Sequence, residues 1–246
     1  MISPALLASL VALQSNHPDS LAARVRHLCD WSDKQYFERH AVEAIITGVA
    51  NGQSDLVTDN TPDSMTRCQS REDGWLAQLR RIDAGKRAGR PEAIAYGVMR
   101  EAIEGSIATR VCRFELWNVG HTGGGWLPTV TSLATLQGVG TQEARQQTLA
   151  RWRAVPGYIA TELANHREGL RRRFSAPRGN VEIALSEIDT LLSTPIAQSL
   201  LYDPAQRDST PEFRAELARV IENDIQPAIR QYRDFLAGEY IGRART

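Results

Sequence analysis

Residues 211–240 read PEFRAELARVIENDIQPAIRQYRDFLAGEY. Thr210 followed by Pro211 is an N-cap and first-turn signal. Phe213, Leu217, Val220, Ile221, Ile225, Ile229, Tyr232, Leu236 and Tyr240 then keep one face apolar for about eight turns. At about 1.5 Å per residue such a helix spans roughly 45 Å, and Pro227 inside it is expected to bend it. No comparable run alternates with the period of a strand, and no repeat of fixed length occurs. The sequence therefore predicts an all-α, multi-helix array with long helices, one long kinked C-terminal helix and a glycine-rich crossover, folded as a single helical domain over residues 1–246.

Upstream, Arg178 opens a helix carrying Val181, Ala184, Leu185, Ile188, Leu191 and Leu192, and Pro195 and Pro204 interrupt the chain between Thr194 and Asp208. Thr141 caps a helix through Leu149, Trp152 and Val155. Pro156 reads as the first-turn residue of a separate helix that ends in Arg171, Arg172 and Arg173, where positive charge suits the exposed carbonyls. Further back, Pro91 opens a long helix whose apolar face runs through Ile94, Val98, Met99, Ile103, Ile107, Val111, Phe114 and Trp117. Thr61 and Pro62 start another, through Met65, Trp75, Leu76, Leu79 and Ile82. Ser32 and Gln35 form a capping-box spacing before Tyr36, Phe37, Val42, Ile45, Ile46 and Val49. A short helix is expected from Ala5 to Gln14.

Between Trp117 and Trp126 the chain reads WNVGHTGGGW, and Gly120, Gly123, Gly124 and Gly125 permit a sharp turn or a close approach to a ligand. This crossover has two readings. It either packs both indoles into the core between helices, or forms a wall of a substrate cleft with Asn118 and His121 as polar contacts. Arg178 joins Arg171 to Arg173 either as solvated helix-end charge or as an anion contact.

Composition narrows the remaining classes. The 29 basic residues equal the 29 acidic ones, so no overall field favours nucleic acid or an anionic membrane. Cys29, Cys68 and Cys112 are too few and too scattered for a disulfide framework or a thiolate zinc site. No apolar run is long enough to span a membrane, and the N-terminus lacks a basic start and a cleavage site, which leaves export open and the compartment unknown. His17, His27, His40, His121 and His166 are scattered, and none is followed by glutamate, so the helical zinc-protease motif is absent. Glu162 and His166 share a helix face, a spacing expected of an exposed helix. There is no phosphate loop and no G-x-S-x-G elbow.

The segments LWNVGHTGGGW, RWRAVPGYIATELANHREGLRRRFSAPRGNVEIALSEIDTLL and FRAELARVIENDIQPAIRQYRDFLAGEYIGRAR resemble the N-terminal part of the bacterial family called domain of unknown function 885. The likeness is most specific over residues 110–245 and weak over 1–60. Its marks are Trp152, Arg153, Pro156 and Tyr158; Ala176, Pro177, Arg178 and Asn180; Pro227, Ala228 and Tyr232; and Glu239 with Tyr240. The resemblance implies a zincin-like metallopeptidase relative whose zinc is held in a C-terminal half that would follow this chain. The last helix stops at GRART without a closing loop, which reads as a chain cut rather than finished. No catalytic or metal residue is expected within it. Substrate-cleft candidates are Trp117, Asn118, His121, Trp126 and Arg178.

Two functional readings follow. One is a non-catalytic, substrate-wall portion of a metallopeptidase-family hydrolase, inactive alone, with the missing half docking on an exposed apolar face of the helix from Pro211 to Tyr240 and a peptide as ligand. The other is a stand-alone helical binding or assembly protein whose partner is a second copy of itself.

Overall fold

The computed structural model describes residues 41–47, 57–82, 91–120 and 123–246, together with scattered positions between 23 and 37. The expected helix from Ala5 to Gln14, and His17, His40 and His121, lie outside the described residues. Most of those described are helical, beginning with α1 (Ala41–Ile46), with no strand among them and one isolated bridge between Pro177 and Arg245. The all-α expectation holds. No described helix is long and apolar enough to cross a membrane. The chain divides into two compact units, one of residues 1–39 and 62–113 and one of residues 40–61 and 114–246.

In the first unit, α2 (Pro62–Arg80) starts at the expected proline and packs against α3 (Pro91–Thr109). Trp75, Leu76, Leu79, Ile82, Tyr96, Met99 and Ile103 form the shared core. The helix expected to run from Pro91 to Trp117 stops short. Beyond Thr109 the chain tightens to a 3-10 turn, Arg110–Cys112, and Arg113 adopts a left-handed conformation with φ of 47°. Arg110 explains the break. Its guanidinium reaches back to Glu72 at 2.7 Å, Asp73 at 2.9 Å and the Gln69 carbonyl at 2.9 Å, all on α2. The apolar stripe consequently does not continue: Val111 and Phe114 are exposed, as is Ile94 near the start of α3.

The second unit is built on α5 (Gln142–Arg171), which packs α8 (Pro211–Val220), α9 (Gln226–Phe235) and α4 (Trp126–Leu136) against its length. The Thr141 hydroxyl accepts the Ala144 amide at 3.1 Å, the expected cap. The expected division at Pro156 is absent, and α5 continues through it. A proline inside a helix costs about 3 kcal/mol. Burial of Trp152, Val155 and Ile159 on both sides, each worth about 1.5–3 kcal/mol, outweighs that cost. The Trp152 indole also donates to the Leu201 carbonyl at 2.9 Å, which ties α5 to the 3-10 turn Leu200–Tyr202.

The C-terminal helix is likewise continuous from Pro211 but changes pitch. A π-helical turn, Ile221–Ile225, separates α8 from α9, and the Gln226 amide bonds to the Ile221 carbonyl across it. This widened turn puts Pro227 into a fresh first turn, where its missing amide matters little. A second π turn, Leu236–Tyr240, precedes a final 3-10 turn. Phe213, Leu217, Val220, Ile221, Ile225, Ile229, Tyr232, Leu236 and Tyr240 are all buried. Their face packs on α5 and on α6 (Arg178–Ser193) inside the same unit. The expectation of an open docking face there is therefore overturned: the unit's own helices cover it.

Asp208, just beyond α7 (Asp203–Gln206), fastens the short connections together. Its carboxylate accepts the Gly140 amide at 3.0 Å, Arg145 Nε at 2.7 Å and the Thr210 amide at 2.9 Å. Burial alone would raise its pKa, but Arg145 and these amides hold it well below the usual carboxylate range. The sign follows: a depressed carboxylate stabilises the fold above its unfolded pKa, and that stability is lost as pH falls. Asp208→Ala is expected to cost about 2 kcal/mol, the scale of hydrogen bonds to a charged group, in urea unfolding at neutral pH. The difference should shrink in acid.

Candidate functional site

One stripe of α5 gathers the polar groups that the apolar core should exclude. Tyr158, Glu162, Asn165, His166 and Gly169 recur at helical intervals on its buried side. Glu162 and His166 are therefore not the surface pair their spacing suggested: they are 7% and 2% exposed. Glu162 Oε2 accepts the Trp126 amide at 3.0 Å, and the side chains of Tyr158 and Asn60 also bond to it. Burial pushes its carboxyl up to about 7, against the pull of those bonds. Asn165 Nδ2 donates to the Asn60 carbonyl at 3.0 Å.

His166 Nδ1 lies 3.1 Å from the Tyr232 hydroxyl, and its ring bonds to the Asn118 backbone. Burial pushes the imidazole down to about 4, so it is neutral at pH 7. A backbone bond that favours protonation is one donated by the ring. The ring thus donates to the Asn118 backbone. The Tyr232 hydroxyl in turn bonds to the Trp126 side chain, and burial raises its pKa well above 10. Tyr240 completes the set: its hydroxyl accepts the Ala176 amide at 2.7 Å and donates to the Trp117 carbonyl at 3.3 Å.

The bonds to the Trp126 amide, the Asn118 backbone and the Trp117 carbonyl end on the crossover, so the stripe and the two tyrosines behind it are its foundation. Gly169 permits the closest approach. A Cβ there would lie 1.8 Å from the Leu116 carbonyl oxygen, in the 3-10 turn Phe114–Leu116. At the other end, a Cβ on Gly120 would meet the Gly124 carbonyl at 2.1 Å, while Gly124 and Gly125 turn with φ of 69° and 88°.

The sequence candidates divide accordingly. Trp126 is 2% exposed and edge-on to Tyr232, with ring centroids 5.6 Å apart, so its indole is core. Asn118 spends its side-chain amide on the Gly123 carbonyl at 3.3 Å, bracing the crossover. Trp117 is half-buried, tilted against exposed Phe114 at 5.3 Å, with the Arg245 guanidinium 5.0 Å over its ring. Arg178 is exposed, and its amide donates to the Arg245 carbonyl at 2.7 Å. His121 lies outside the described residues. Missed by the sequence reading were Glu162, His166, Tyr158, Tyr232 and Asn60. The signal was present in the phase of Glu162, one heptad beyond Val155 on the apolar stripe.

Beside the crossover's exit, Leu127, Pro128 and Thr131 of α4 face Ser186 and Thr190 of α6 and exposed Leu200 across a groove of about 450 Å³. That is within the size range of small-ligand sites. Neither Trp117, Asn118 nor Arg178 lines it. Among the described residues, no three His, Cys, Asp or Glu side chains converge as a metal set.

Residues 42–246 match the family described as "Bacterial protein of unknown function (DUF885)", and the chain belongs to that family. None of the curated proteins matches it in sequence. Its fold resembles the crystal structure titled "putative lipoprotein" from Colwellia psychrerythraea, at 12% identity and a TM-score of 0.73. The match covers 91% of this chain and 42% of that one. The chain thus spans less than half the length of that structural relative.

Gly169→Ala tests the foundation directly. The added methyl must push the Leu116 backbone off α5, an overpacking expected to cost about 3 kcal/mol in urea unfolding. Tryptophan emission should shift to the red as Trp126 gains water.

Proposed function

We propose that this chain is the N-terminal helical portion of a zincin-like metallopeptidase-family hydrolase, and that the crossover from Trp117 to Trp126 forms one wall of a peptide cleft. What supports the reading is the contrast across the crossover. Its inner side is fixed by Glu162, His166, Tyr232 and Tyr240, while Gly123, Gly124 and part of Trp117 face solvent. A wall fixed from behind loses little conformational entropy when a ligand settles on it. Family membership and the 42% coverage of a longer structural relative are consistent with a part of a larger architecture. In this reading the zinc of that architecture is held in its C-terminal half. Trp117 and Asn118 are the ligand contacts in this reading, with Arg178 and Arg245 facing acidic groups.

A second reading, a self-contained helical binding or assembly module, is favoured by one observation. The long C-terminal apolar face is already covered within its own unit.

Fluorescein-labelled casein separates the two. The first reading expects the 246-residue chain to bind it without cleaving it, and Trp117→Ala to weaken binding about tenfold, as loss of an aromatic anchor does. Unchanged binding in Trp117→Ala would sink the cleft-wall reading. A sharp dimer by light scattering with no casein binding would establish the second.

A further inference from the structure

The groove between α4 and α6 belongs to neither reading of the crossover, and its walls share one property of composition. Residues 122–144 and 179–206, which supply its lining, contain no Lys, Arg or His, in a chain with 29 Lys and Arg residues. Arg207 and Arg233 reach these elements from elsewhere, but they are bound to Asp203 and Asp189. Among the described residues, Glu187 is the one charge in the lining, and it is exposed and forms no ion pair. We propose that this groove is a binding site for an organic ammonium, a protonated amine on a short hydrocarbon stem, with Glu187 as its counter-ion. The inference goes beyond the cleft-wall reading and does not rest on it.

Each half of such a ligand finds a matching wall. For the stem, Leu127 and Leu191 carry the apolar core up to the groove, Pro128 is half-buried beside them, and Leu200 is left 54% exposed. A leucine exposed alone is ordinary, but one lining a groove of about 450 Å³ offers apolar area that a hydrocarbon can cover. For the head, the threonine hydroxyls are set as acceptors. Thr131 donates its proton to the Leu127 carbonyl at 2.9 Å, Thr190 to the Ser186 carbonyl at 2.9 Å and Thr194 to the Thr190 carbonyl at 2.8 Å. A threonine has one hydroxyl proton to give, so what remains for a ligand is lone pairs. An ammonium has three donors and no acceptor, whereas a carboxylate or phosphate would meet those lone pairs and Glu187 as like charge. Ser132, Ser186 and Gln198 can give or accept, and they leave the sign of the groove unchanged. An aminoalkyl group of this kind comes as a free amine or as the side chain of a peptide's lysine, and both present the same head and stem.

Amide proton–nitrogen correlation spectra of the 246-residue chain, titrated with n-butylammonium at neutral pH, test the site. The amides of Thr131, Glu187, Thr190 and Leu200 should shift saturably at millimolar concentration. Pentanoate, with the opposite charge on the same stem, should move none of them. Hexylammonium should bind more tightly, by up to about fourfold for each added methylene that is buried. Glu187→Gln should weaken butylammonium about threefold, the scale of an exposed ion pair. Thr190→Trp, at an exposed position of α6, should fill the groove and abolish binding. Nα-acetyl-lysine N-methylamide carries the same aminobutyl chain on a peptide backbone: tighter binding than butylammonium assigns the site to a peptide's lysine, and equal or weaker binding assigns it to a free amine. Absence of saturable shifts at these amides with either alkylammonium, equal binding of pentanoate, or undiminished binding in either variant would overturn the proposal.

Discussion

The hydrogen bond from the Trp126 amide to the buried Glu162 carboxyl is the constraint on which the second unit's arrangement turns. It joins the first residue of α4 to the middle of α5, and through Asn60 it also fixes the segment before α2. Such a bond in a dry interior adds little net stability. Raising a carboxyl pKa from 4.5 to about 7 corresponds to about 3 kcal/mol against the charged form. What it supplies is placement. Apolar contacts between Trp126, Leu127 and Val130 and their neighbours tolerate small slides, whereas a buried amide with one acceptor does not. His166 and Tyr232 repeat the logic a turn away, so the crossover has one inner register rather than several.

Much of the fold was legible because helix period and helix ends are local. The nine apolar positions from Phe213 to Tyr240, the Thr141 cap and the Thr61–Pro62 start stand in the structure as read. What was illegible depended on partners distant in the chain. Nothing near Arg110 announces that its guanidinium will reach α2 and end the helix there. Pro156 has a local signature for a helix start, and only the buried flanks Trp152 and Ile159 show that the helix runs on. A bend at Pro227 was anticipated; what stands there is a π turn that ends two residues before the proline, which no local sequence signal announces.

The site was the harder case. Glu162 and His166 at i and i+4 look identical on a solvated helix and in a core. The distinction is phase: both fall on the stripe that carries Val155, Tyr158 and Ile159, so burying those residues buries the pair. The glycine crossover, by contrast, was visible at once, yet its division into a fixed inner side and an open outer one was not. Trp126 and Trp117 are symmetric in the sequence and opposite in the structure, one core and one half-buried beneath Arg245.

That asymmetry bears on what the crossover does. If it served only to carry the chain between helices, three consecutive glycines would be costly, since each loses more conformational entropy on folding than any other residue. Close approach explains Gly120, and positive φ explains Gly124 and Gly125. Gly123 adds the carbonyl that accepts from the Asn118 side-chain amide. What offsets that cost is placement: the turns at Gly124 and Gly125 bring the chain against Asn118 and Glu162, so the crossover's inner side is held while its outer side stays exposed.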